Sequence, residues 1–143
     1  MFPFPHNCHR CDIDADKLQL CSSWWPGPVT CLFQANPGLP PQLTGKQGKI
    51  GVRIPDNRFL LEVMSSIPGP LVSTSANPTG EAASGCFSKL DPGIISGVDL
   101  WIRSTVDHES GNRNASTVVD LSGDSPEVVR EGEGIELVRA AGV

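Results

Sequence analysis

The rhythm of hydrophobic and polar positions changes several times along the chain. Between Asp12 and Trp24, Leu18, Cys21 and the following Trp25 recur at helical spacing, and Asp12 or Asp14 offers a cap, which predicts a short helix. Pro26-Gly27-Pro28 ends it, because Pro28 cannot continue a helix. Val29 to Ala35 is nearly all apolar and rich in β-formers, which predicts a strand buried on both faces. Asn36 to Gly48 holds three prolines and three glycines and reads as a loop. Lys49 to Ile54 reads as a second strand, stopped by Pro55. Asp56 then caps a predicted helix to Ser66 with Phe59, Leu60, Val63 and Met64 inward.

Past Pro68-Gly69-Pro70, Leu71 to Thr74 reads as a short strand entering the polar, small-residue stretch Ser75-Ala76-Asn77-Pro78-Thr79-Gly80. Val98 to Arg103 reads as a strand and Ser104 to Ala115 as a hydrophilic loop. Ser116 to Leu121, Glu127 to Arg130 and Ile135 to Val138 close the chain as strands. Strands and helices alternate first and strands alone follow. That order predicts an α/β (α+β) fold with a mixed sheet, as a single domain over residues 1–143.

Composition narrows the picture. With 15 glycines and 13 prolines in 143 residues, and no sustained apolar heptad, a long-helix or coiled-coil protein is excluded. The longest nearly apolar stretch, Gly93 to Ile102, contains Ser96 and Asp99 and is too short to span a bilayer, so no membrane partner is expected. A net charge of −5 argues against a nucleic-acid coat; any contact with double-stranded RNA or tRNA must use a local basic patch. The five cysteines are odd in number and no signal segment opens the chain, which points to free thiols in a reducing, cytoplasmic compartment.

Candidate chemistry begins at Leu71-Val-Ser-Thr-Ser-Ala-Asn77. Small residues let backbone N–H groups approach a ligand, and Ser73, Ser75 and Asn77 can bond phosphate or carboxylate oxygens at a strand end. The same residues equally describe a turn whose hydroxyls satisfy their own backbone. Arg53 and Arg130 each end a predicted strand, where a guanidinium suits an anion or a surface ion pair. Ser116-Thr117 opens a strand, for which β-propensity is a sufficient reason. His6-Asn7-Cys8-His9-Arg10-Cys11 suggests zinc, but a closed site needs four ligands. Cys21, Cys31 and Cys86 stand singly inside predicted elements, so no metal site is expected. Cys21 and Cys31 read as core. His108, between Asp107 and Glu109, reads as solvated surface. There is no catalytic triad and no Gly-x-x-x-x-Gly-Lys-Ser/Thr loop, so no catalytic side chain is named.

Taken in order, Trp25-Pro-Gly-Pro-Val-Thr30, Gly51-Val-Arg-Ile-Pro-Asp56, Pro70-Leu-Val-Ser-Thr-Ser-Ala-Asn-Pro-Thr-Gly80, Ser116-Thr-Val-Val-Asp120 and Val129-Arg-Glu-Gly132 resemble the successive signatures of the YrdC-type threonylcarbamoyl-AMP synthases, in their short bacterial form. The resemblance implies a YrdC-like twisted mixed sheet with a concave ligand face. It implies an enzyme, a nucleotidyltransferase that condenses L-threonine, bicarbonate and ATP into threonylcarbamoyl-adenylate and pyrophosphate, with Mg2+ accompanying the ATP. A tRNA-modifying transferase complex would then receive the product. By position in the motifs, Lys49, Ser75, Asn77 and Arg130 would face ATP, and Arg53, Ser73 and Ser116 would face threonine.

The chain also departs from that pattern. The family opens with a Pro-Thr-x-Thr-Val-Tyr-Gly-Leu strand and a Lys-x-Arg motif ahead of a segment like Pro3-Phe4-Pro5; neither occurs here, and the chain has no tyrosine. The expectation is a domain lacking an N-terminal strand–helix–strand unit, with catalysis weakened or lost. The alternative is a non-catalytic nucleotide- or RNA-binding module of the same fold. Lys49 also stands where the family has a small hydroxyl residue, and Ala82-Ala83 where Pro-Ser is usual.

Overall fold

Pro26 and Pro28 separate the first helix from the first strand, and the core is built around that break. The computed structural model describes residues 11–78, 80, 87–102 and 115–143. The chain divides into two compact units, one of residues 1–67 with 115–143 and the other of residues 68–114.

In the first unit, α1 (Ala15–Ser22) starts at Asp14, whose carboxylate accepts the Lys17 N–H at 2.8 Å. The helix stops at Ser22, and Trp24 and Trp25 occupy the turn ahead of β1 (Val29–Gln34). The Trp25–Pro26 peptide is cis. The expected loop after β1 contains one helical turn, α2 (Pro41–Thr44), opened by a proline at its start, where a missing N–H costs nothing. β2 (Lys49–Val52) follows, then α3 (Arg58–Ser66), β3 (Thr117–Asp120), β4 (Glu127–Arg130) and α5 (Ile135–Ala140); α4 (Pro92–Ser96) belongs to the second unit.

The four strands form one sheet in the order β2-β1-β3-β4. β1 runs antiparallel to β2 and parallel to β3, and β3 runs antiparallel to β4 with an irregularity between Val118 and Val119. This is the mixed sheet that the alternation of elements implied. β1 is not buried on both faces, as its apolar run suggested. Val29, Cys31 and Phe33 are buried, Thr30 and Leu32 are half-buried, and Gln34 is exposed.

The buried face carries Val29, Cys31, Phe33, Thr117 and Val119, and is covered by Cys21 of α1, Trp24, Trp25 and Val138 of α5. Both indoles are satisfied: Trp24 Nε1 donates to Leu137 O at 3.2 Å and Trp25 Nε1 to Val29 O at 2.7 Å. Trp25 meets Phe33 edge-on, ring centroids 6.4 Å apart. Thr117, the one buried polar side chain among the described residues, accepts the Gly132 N–H at 3.1 Å.

Several expected elements differ. Asn57, not Asp56, caps α3, accepting the Leu60 N–H at 3.0 Å. Phe59 and Leu60 are exposed rather than inward, and α3 contributes no fully buried residue. Ile135 to Val138 is helical, not extended. Gly134 takes a left-handed φ of 87° that starts α5, and Leu, Glu, Arg and Ala are good helix formers.

In the second unit, Leu71 to Thr74 and Val98 to Ile102 form no strand; neither has a ladder partner among the described residues, and a strand exists only through its partner. Leu71, Val72, Leu100, Trp101 and Ile102 are exposed. Asp91 caps α4, its carboxylate accepting the Gly93 N–H at 2.7 Å. Arg103, the loop from Ser104 to Asn114 with His108, the Ala82-Ala83 departure, and His6, Cys8, His9 and Cys86 lie outside the described residues.

Candidate functional site

Strand alternation decides which side chains share the face opposite the core. The pairs Lys49–Gln34, Gly51–Leu32, Leu32–Asp120, Thr30–Val118 and Val118–Arg130 put Thr30, Leu32, Gln34, Lys49, Gly51, Val118, Asp120 and Arg130 on the open face of the sheet. Carrying the Cys31–Val52 register one residue further sets Arg53 opposite Thr30. Four of the residues singled out in the sequence, Lys49, Arg53, Ser116 and Arg130, are therefore brought to one side of one sheet.

Hydroxyls and guanidinium groups meet at one end of that face. Thr30 Oγ1 and Ser116 Oγ lie 2.9 Å apart. Arg130 is exposed but anchored, donating from Nε and Nη2 to Ser116 O at 3.2 and 2.9 Å and from Nη2 to Ser116 Oγ at 3.4 Å. Arg53 Nε donates to Gly27 O at 2.8 Å, and Gly27 N donates to Ile54 O at 2.8 Å, so the Pro-Gly-Pro turn and the strand end hold each other. A Cβ on Gly27 would sit 2.2 Å from Trp24 O. A guanidinium has five N–H donors in a rigid fork, so an arginine fixed through Nε still presents Nη donors to an anion.

A different arrangement occupies the other end. Lys49 Nζ reaches over β1 to Asp120 Oδ2 at 2.5 Å, with the lysine side chain 26% and the aspartate 14% exposed. Asp120 Oδ1 accepts the Ser122 N–H at 2.9 Å. Burial pulls the Asp120 carboxyl upward, but the Lys49 ammonium and the Ser122 hydroxyl and amide hold it, on balance, below the ordinary carboxylate range. Gly51 leaves the middle of the face low; its missing Cβ would lie 3.4 Å from Leu32 Cδ2 and Thr30 Cγ2.

Ser73, Ser75 and Asn77 belong to the second unit. Ser73 and Ser75 are exposed, and Asn77 is half-buried, its Nδ2 donating to Pro78 O at 3.1 Å. Thr30 and Asp120 were not singled out in the sequence. Both sit inside motif segments, and only the strand register reveals that they face Ser116 and Lys49. Among the described residues, no group of three or more His, Cys, Asp or Glu side chains is placed to hold a metal. A groove of about 430 Å³ lies beside α3, lined by Asp56, Arg58 and Glu62, and one of about 300 Å³ lies between α1 and the chain after β3. Neither contains a residue of the open face.

Comparison with known proteins bears on this face. The model of the Sua5_yciO_yrdC family, described as Telomere recombination, matches residues 5–132. The chain is similar to a threonylcarbamoyl-AMP synthase of Pseudomonas putida, 32% identical over 121 residues, which is 85% of this chain and 62% of the relative. It is similar to that of Stutzerimonas stutzeri, 33% identical over 119 residues, 83% of this chain and 61% of the relative. Among solved structures, E. coli YciO superposes with a TM-score of 0.64 at 28% identity, over 87% of this chain and 59% of that one. Sua5 of P. abyssi, complexed with L-threonine, superposes with a TM-score of 0.70 at 21% identity, over 99% of this chain and 41% of that one, a likeness of fold. The chain thus spans somewhat less than two thirds of the length of these curated relatives.

Proposed function

The chain belongs to the Sua5_yciO_yrdC family, and on that footing we propose that its open sheet face serves threonylcarbamoyl-adenylate synthesis, holding L-threonine at the Thr30–Ser116–Arg53 end and ATP toward Arg130 and Lys49. In the full reaction the threonine amine adds to bicarbonate, releasing water and leaving an N-carboxylate. A carboxylate oxygen then attacks the α-phosphorus of ATP, and pyrophosphate departs. The protein's part is positioning and charge neutralisation, not covalent chemistry. Arg53 pairs the amino-acid carboxylate, the two hydroxyls orient it, and Arg130 meets developing phosphate charge. Mg2+ enters as the partner of ATP. By their place in the family motifs, Ser73 would take a threonine role, and Ser75 and Asn77 nucleotide roles. A cytoplasmic tRNA-modifying transferase complex takes up the adenylate.

The observation that carries the reading is the Thr30–Ser116 hydroxyl pair gripped by Arg130 on a face it shares with Arg53. Two hydroxyls and two guanidinium groups on an otherwise unremarkable sheet match an α-amino acid beside a phosphate chain. The test has two parts, calorimetric titration of the 143-residue chain with L-threonine and with ATP, and pyrophosphate release from ATP in the presence of threonine and bicarbonate. Binding of both ligands with slow or no release supports a site that binds without efficient turnover. ATP binding without threonine binding would favour the nucleotide-binding module, and binding of neither would end the proposal.

A further inference from the structure

The Lys49–Asp120 pair answers a question that the open face raises: how much of its positive charge is available to a ligand. We propose that Asp120 is an internal competitor for Lys49, a specificity-determining residue that closes this cation to weakly charged anions and yields it only to a polyphosphate. The inference rests on the nucleotide-site reading above and deepens it.

The geometry is that of a strap. Lys49 on β2 and Asp120 on β3 are separated by β1, and the register places Leu32 directly beside Asp120 and two positions from the partner of Lys49. The lysine side chain reaches across β1, where Leu32 is half-buried, to make the pair at 2.5 Å. Both Asp120 oxygens are engaged, Oδ2 by Lys49 and Oδ1 by the Ser122 N–H. The carboxylate is therefore fixed by the chain end of β3 even when Lys49 leaves it.

An ammonium has three donors, so Lys49 could in principle hold Asp120 and a phosphate together. A phosphate set on the remaining donors would lie beside the carboxylate charge, and would meet a neutral dipole in place of a cation. A monophosphate or carboxylate gains little from that exchange. A polyphosphate already held at Arg130 brings several charges and can draw Lys49 across. The exchange of Lys49 itself moves neither Thr30 nor Arg53, so amino-acid binding should not depend on it.

The experiment is calorimetric titration of the 143-residue chain with inorganic tripolyphosphate, inorganic phosphate and L-threonine. Asp120→Asn keeps an oxygen for the Ser122 N–H and removes the charge. It should tighten tripolyphosphate by about tenfold, the scale of one unpaired surface charge at short range after screening. It should leave L-threonine unchanged, and Lys49→Met/Asp120→Asn should lose the gain. In the wild-type chain, tripolyphosphate should shift the lysine Cε NMR signal that is absent from Lys49→Arg, a readout that needs no Asp120 variant to fold. Unchanged or weaker tripolyphosphate binding in Asp120→Asn overturns the inference, as does a gain that survives in the double variant or a Lys49 signal that ignores saturating tripolyphosphate. Should tripolyphosphate respond as expected while ATP and L-threonine together fail to bind, the functional reading fails and the competition stands.

Discussion

Thr30 Oγ1 and Ser116 Oγ are 2.9 Å apart although 86 positions separate them in the chain. The parallel pairing of β1 with β3 makes the contact, because Val29 pairs with Thr117 and so sets the residues that flank them on the opposite, open face. If this pair orients the amino acid, Ser116→Ala should weaken L-threonine binding by about tenfold, the value of one hydrogen bond of about 1–1.5 kcal/mol. ATP affinity should change far less. Calorimetry with both ligands separates the cases, and equal losses for the two would count against a threonine-side role.

Arg130 is anchored on Ser116 by two of its nitrogens, so its charge sits at a fixed place on the face. Arg130→Gln should lower ATP affinity by about tenfold or more, the scale of a charge-assisted contact of about 1.5–3 kcal/mol at a partly screened site. The loss should shrink as salt rises, because screening already weakens the wild-type contact. A salt-independent loss would mean that Arg130 acts through the fold around Ser116 and not through charge.

Two glycines, one between β3 and β4 and one just after β4, offer a matched stability test. A Cβ on Gly132 would fall 2.0 Å from Ala115 O and 2.9 Å from Ser116 C and O, all backbone atoms that cannot swing aside. Gly123 has nothing within 4 Å of its would-be Cβ. Gly132→Ala should cost about 2–3 kcal/mol of unfolding free energy, and Gly123→Ala less than about 0.5 kcal/mol. Urea denaturation of both variants is the measurement; equal stabilities would contradict the close approach of the Arg130-Glu-Gly132 segment to Ala115 and Ser116.

Asp120 should write itself into the acid stability of the chain. Its carboxyl is held below its ordinary value of 3.8 in the folded state, against the pull of burial, by Lys49 and Ser122. The unfolded chain therefore takes up this proton first as pH falls. The contribution is complete above about pH 5 and disappears as pH drops through the depressed native value. Between pH 5 and pH 2.5 the wild type should lose stability more steeply than Asp120→Asn, which has no proton to take up at this position. Parallel curves would show the ion pair to be absent in solution.

The sheet was legible where sequence carries its own punctuation. Glu127–Arg130 stands as read from the sequence, the strands expected at Val29–Ala35 and Ser116–Leu121 lie within a residue of their bounds, and the one expected at Lys49–Ile54 starts as read but ends two residues early at Val52; proline, glycine or a polar turn marks each. What failed depended on partners. Leu71–Thr74 and Val98–Ile102 have strand-like composition, yet extended chain becomes strand only through a ladder, which no local pattern encodes. Ile135–Val138 failed for the opposite reason: four residues, one of them Glu136, are too few to show a period, and the left-handed turn at Gly134 decided the matter. Of the site, the motifs gave Arg53, Ser116 and Arg130 as candidates. Thr30 and Asp120 became visible only through register, and pairing with Asp120 changed the meaning of Lys49 from an available cation to an occupied one.

Cys21 and Cys31, read from the sequence as core, give the alkaline counterpart of the Asp120 experiment. Both thiols are fully buried, and Cys21 Sγ donates to Cys31 Sγ at 3.6 Å. That contact first, and burial second, push the Cys31 thiol far above its ordinary value of 9.0. An unfolded Cys31 loses its proton near pH 9 while the folded one keeps it. Ionisation therefore favours the unfolded chain, and stability that is intact below about pH 9 falls as pH rises beyond it. The slope owed to Cys31 approaches one proton, about 1.4 kcal/mol per pH unit. Cys31→Ala leaves a small cavity under β1 and should be less stable at pH 7, by about 1–2 kcal/mol. Its stability should nonetheless decline more gently from pH 8.5 to pH 10.5, so that the two urea-denaturation curves converge. Curves that stay parallel over that range would mean that Cys31 is open to solvent and that the thiol pair does not exist in the folded protein.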